Sequence, residues 1–107
     1  MSQCRITVLK KTFYEDIADK YSEERKKGDD FGPCGMFKEG DVFITKGPFG
    51  IEMPEGFCIS AWDAISKLAA VLAGGGKVYH NVSQVVACCN DGYRPVIFLL
   101  ETIEDES

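Results

Sequence analysis

The sequence predicts an α+β fold, a single compact domain in the order β-α-β-α-β-β that closes on a C-terminal antiparallel hairpin. Three observations carry this reading. The chain has 107 residues, of which 45% are hydrophobic, enough for one core at the usual domain size. Two segments repeat apolar residues at three- and four-residue steps, as a one-sided helix does. The remaining apolar runs are short and rich in β-branched residues, as strands are.

Residues 4 to 10 (Cys-Arg-Ile-Thr-Val-Leu-Lys) read as the first strand. Thr12 and Glu15 have the spacing of a capping box, and Phe13, Ile17 and Tyr21 form a helical stripe that Gly28 ends, which predicts an amphipathic helix over 13–26. Residues 28–40 form a glycine-rich loop with Phe31, Met36 and Phe37 to pin it to the core. A turn at Lys38-Glu39-Gly40-Asp41 leads into a second strand, Val42 to Thr45, and Gly47-Pro48-Phe49-Gly50 ends that strand's regularity.

Ser60 and Asp63 repeat the capping-box spacing. Trp62, Ile65, Ala69 and Leu72 follow on one face, so 61–73 is the expected core helix, ended by Gly74-Gly75-Gly76 and a flexible connector. Residues 85–89 and 96–100 are the last two strands. Asp91-Gly92 between them has the composition of a tight turn with positive φ. There is no internal repeat, so 1–102 reads as one domain and 103–107 as an acidic, frayed tail.

Composition also narrows function. Seventeen acidic residues against twelve basic give a net charge of −5, which opposes docking on nucleic acid or an anionic membrane surface. The start has no apolar signal region and the apolar runs are too short to span a membrane, which fits a cytoplasmic location. Five cysteines, an odd number without a secretory signal, point to free or metal-bound thiols in a reducing compartment.

No Cys-x-x-Cys spacing singles out a pair, so any thiol site must be assembled in space. Cys34 and Cys58 lie in loops. Cys88 and Cys89 end a strand and, as neighbours, point to opposite faces, so only one of them is expected at a shared site. Cys4 belongs to the first strand. His80 is the single histidine, more in keeping with a surface residue than a general base, and it leaves a Ser-His-Asp triad no second candidate base. Gly74-Gly75-Gly76-Lys77 lacks the spaced glycine and the following hydroxyl residue of a phosphate loop, since Val78 comes next. Asp91 and Arg94 suit a turn and an ion pair, and Trp62 suits packing, although all three are candidates to wall a pocket.

Taken in order, Gly32-Pro33-Cys34, Phe37-Lys38-Glu39-Gly40, Met53-Pro54-Glu55-Gly56-Phe57-Cys58, Ala61-Trp62, Gly74-Gly75 and Ala87-Cys88-Cys89-Asn90-Asp91-Gly92-Tyr93-Arg94-Pro95-Val96 span nearly the whole chain. This series resembles a family of small uncharacterised prokaryotic proteins, found largely in anaerobes and with no established activity. The resemblance implies that the cysteines at 34, 58, 88 and 89 belong to the family pattern, whereas Cys4 and His80 do not. It favours a shared thiol site that binds zinc or an iron–sulfur centre or does thiol redox work. Two alternatives stand beside it: an interaction module, as a homo-oligomer or a subunit of a larger complex with core cysteines, and a metal-free pocket using Asp91, Arg94 and a thiol.

Overall fold

Antiparallel pairing organises every strand of the main sheet. In the computed structural model, residues 2–28, 32–79 and 81–104 are described, the side chains of Asn81 and Val82 excepted. The elements are β1 (Ser2–Lys11), α1 (Glu15–Tyr21), α2 (Glu23–Lys26), β2 (Val42–Ile44), a 3-10 turn (Pro48–Gly50), α3 (Ile59–Ala73), β3 (Lys77–Val78), β4 (Asn81–Val82), β5 (Gln84–Cys88) and β6 (Val96–Glu104). The sheet order is β2-β1-β6-β5, and β3 with β4 forms a separate two-stranded sheet. The domain is α+β with a C-terminal antiparallel β5–β6 pair, as the sequence predicts.

The side-chain alternation of each strand decides which residues enter the core. Register aligns Phe43, Ile6, Leu100 and Val85 in one row across the sheet, and Val8, Phe98 and Ala87 in the next. α3 packs on this face through Ala61, Ile65, Ala69, Leu72 and Ala73, all buried. The small alanines let the helix approach the sheet, and the Thr102 hydroxyl of β6 donates to the Leu72 carbonyl at 2.8 Å, satisfying an acceptor of the helix's last turn. At the centre, Phe37 is 2% exposed and its ring lies 5.1 to 5.7 Å from those of Phe57, Phe98 and Phe43. On the opposite face of the sheet Val42, Ile44 and Val86 are exposed. There Arg5 and Glu101 pair across β1 and β6 at 3.1 Å among Val42, Leu99 and Val86.

Several local expectations are corrected. The expected helix over 13–26 is broken at Ser22, whose backbone is extended and whose hydroxyl caps α2 by accepting from the Arg25 amide. A serine that bonds to nearby backbone competes with helix continuation. The stripe is also turned outward: Ile17 and Tyr21 are exposed, and Ala18 and Ser22 are buried instead. Neither capping box forms. Thr12 donates to the Pro95 carbonyl at the end of the sheet, and α3 starts at Ile59 with Cys58 as its N-cap, which places Ser60 and Asp63 inside the helix.

In place of a plain connector after α3, β3 pairs antiparallel with β4, Lys77 with Val82 and Val78 with Asn81. This pair follows Gly75, which takes φ of +82° while the Gly76 amide bonds back to the Val71 carbonyl, a glycine-dependent helix stop. The β5–β6 connection is a seven-residue loop, 89–95, in which neither Asp91 nor Gly92 has positive φ. Asp91 sets it instead, accepting from the amides of Tyr93 at 3.0 Å and Arg94 at 3.3 Å. β6 continues through Ile103 and Glu104, which pair with Gln3 and Ser2, so the strand covers the first two residues of the expected tail; 105–107, Phe31 and His80 lie outside the described residues.

Candidate functional site

Three chain segments meet at one end of α3. The inward parity of β5 sets Val85 and Ala87 toward the helix and carries on to Cys89, while Gln84, Val86 and Cys88 face out. The irregular segment 32–38 brings Cys34 alongside because Phe37 anchors it in the aromatic cluster. Cys58 comes to the same place as the N-cap of α3.

Between them lies a cavity of about 360 Å³ lined by Cys34, Cys58 and Cys89. Its volume falls near the small end of the range for small-molecule pockets, about 300–1,000 Å³. Phe37, Ala61 and Val96 line it with apolar surface, and Asn90, Asp91 and Arg94 supply polar groups. The Asp91 carboxylate accepts from Arg94 Nε at 3.1 Å, and the guanidinium also donates to the Gly32 carbonyl at 3.4 Å. Arg94 thereby ties the 89–95 loop to the segment that carries Cys34.

The sulfurs are held differently. Cys34 Sγ accepts the Met36 amide at 3.4 Å, and Cys89 Sγ accepts the Val96 amide at 3.3 Å. Since the Cys89 amide donates to the Val96 carbonyl, sulfur and amide together close the end of the β5–β6 ladder. Cys58 Sγ makes no capping hydrogen bond with α3. Cys34, Cys58 and Cys89 are partly exposed.

The other candidates separate from this group. Cys88 is exposed on the outer side of β5, and Cys4 is fully buried in the core. Burial pushes the Cys4 thiol from its ordinary 9.0 to about 12, against a smaller lowering by a hydrogen bond with the Glu101 backbone. Trp62 packs edge-on against Phe57 at 6.2 Å and lines a different depression with Ile51 and Lys67. Met36, Ser60 and Asn90 line the cavity although the sequence offered none of them as a site residue; their signal for it was nearness to a cysteine.

Zinc or an iron–sulfur centre needs several thiolates or other donors converging on one point. Among the described residues no group of three or more His, Cys, Asp or Glu side chains is placed to hold a metal ion, so the donor geometry does not fit such a centre in this arrangement. Among them, too, no helix is long and apolar enough to cross a membrane.

Fold and site define a small α+β domain with a pocket lined by three thiols. Comparison of the chain with protein-family models, with curated proteins and with solved structures found no match.

Proposed function

We propose that this protein acts through the thiols of its pocket, exchanging electrons between the cysteine sulfurs and a small molecule. The observation that carries the reading is that Cys34, Cys58 and Cys89, distant in sequence, line one cavity of small-molecule size. Packing alone calls for sulfur at one such place more readily than at three. The motif resemblance, in which cysteines at these positions belong to the pattern, supports the same reading.

Redox titration of protein purified without oxygen tests it. Two thiols should be lost and regained reversibly, and peptide mapping of the oxidised form should join two of Cys34, Cys58 and Cys89. Thiols that stay reduced throughout the titration would overturn the proposal. Stoichiometric zinc or iron whose removal by a chelator unmasks the three thiols would overturn the redox reading in favour of a metal-bound rearrangement of the pocket.

An interaction module is the second reading, favoured by the outer sheet face, on which Val42 and Val86 are 53% and 58% exposed. A homo-oligomer would show in sedimentation velocity across a concentration series, and loss of the oligomer on replacing Val86 by Lys would assign this face.

A further inference from the structure

We infer that Cys58 is the attacking thiol, that Cys34 resolves the resulting intermediate, and that the substrate is a low-molecular-weight disulfide. This assignment rests on the thiol redox reading and adds to it a division of labour among the sulfurs.

The hydrogen bonds distinguish them. Cys34 and Cys89 each have the sulfur held toward a backbone amide, that of Met36 and that of Val96, which fixes its direction. Cys58 Sγ makes no such bond with the first turn of α3. It also stands at the N-terminus of a fifteen-residue helix, where amides without intrahelical acceptors and the positive end of the dipole favour negative charge developing on a departing thiolate.

The resolving role falls to Cys34 because of its support. Cys89 is fixed at the end of the sheet by two contacts with Val96, so moving its sulfur would break the final rung of the ladder. Cys34 belongs to a segment without regular secondary structure, and its sulfur accepts from Met36 within that segment. It can approach Cys58 without disturbing a strand.

The substrate class follows from the space. A cavity of about 360 Å³, apolar at Phe37, Ala61 and Val96, admits a small disulfide, not a folded partner's. In the first step the Cys58 thiolate attacks one sulfur of RS–SR, forming Cys58–S–SR and releasing RS⁻. In the second the Cys34 thiolate attacks Cys58 sulfur and releases the other RS⁻, leaving a Cys34–Cys58 disulfide. Two electrons pass from the protein to the substrate, and the two thiol protons leave with two RSH.

The test uses hydroxyethyl disulfide as probe, in a Cys88→Ser background because Cys88 is exposed. Acid-quenched samples are read by intact mass and peptide mapping. The parent protein should show a transient adduct on Cys58 followed by a Cys34–Cys58 disulfide. Cys34→Ser should accumulate the Cys58 adduct, Cys58→Ser should lose pocket exchange, and Cys89→Ser should retain both steps. First modification of Cys34 or Cys89 would overturn the assignment while leaving thiol redox chemistry intact, whereas no modification of any pocket cysteine would overturn the redox reading itself. Substoichiometric probe on the protein with all cysteines present, with Cys88 adducts separated by peptide mapping, gives the same order of appearance among the pocket cysteines, so the result does not depend on a variant folding.

Discussion

Raising the pH should destabilise this protein through Cys4. The thiol is fully buried in β1, beneath α3, and its folded pKa is pushed to about 12 against 9.0 for the ordinary group. Between these values the unfolded chain has lost the proton and the folded chain keeps it. Stability is therefore undiminished by this group below pH 9.0 and falls as pH rises toward 12. The slope is about 1.4 kcal/mol per pH unit, so roughly 2 kcal/mol is lost by about pH 10.5. Urea midpoints at several pH values, compared between the parent protein and Cys4→Ala, isolate the effect. The variant is expected to be less stable at neutral pH, because it leaves a small void, but to decline less steeply above pH 9.0. Parallel curves would refute the argument.

Two further perturbations probe how the core holds the pocket. Phe37→Ala removes the ring at the centre of the aromatic cluster, which should cost about 3–5 kcal/mol in urea unfolding and accelerate alkylation of Cys34; a loss below about 1 kcal/mol would contradict the anchoring role. Asp91→Ala removes the acceptor of two amides and of Arg94 Nε and should cost about 1–3 kcal/mol in thermal unfolding, whereas Asp91→Asn, which keeps an acceptor for the amides, should cost less.

Element type was legible wherever burial followed a regular period. The stripe of Ile65, Ala69 and Leu72 in α3 enters the core as its spacing predicts, and the apolar runs read as strands are strands in β1 and β6. Legibility failed where a polar group chose between partners. Thr12 could cap a helix or bond to Pro95, and Ser22 could continue a helix or cap the next one. In each case the alternative partner became available only through the fold. Asp91 likewise suited two kinds of turn, and its bonds to Tyr93 and Arg94 select the longer loop.

The site divides in the same way. Parity along a strand was enough to predict that Cys88 and Cys89 would part, and they do, with Cys89 in the cavity and Cys88 outside. Local pattern was not enough to exclude Trp62, because its place on the core helix left open which side of the N-terminus it would wall.

Local periodicity, turn chemistry and composition thus determine the fold class and much of the core, since those depend on residues a few positions apart. The sheet order β2-β1-β6-β5, the exposure of Val42 and Val86 on the outer face and the meeting of Cys34, Cys58 and Cys89 were decided only by the tertiary structure. Each depends on pairing between segments far apart in sequence, such as Ile6 with Leu100, for which no local spacing leaves a signature.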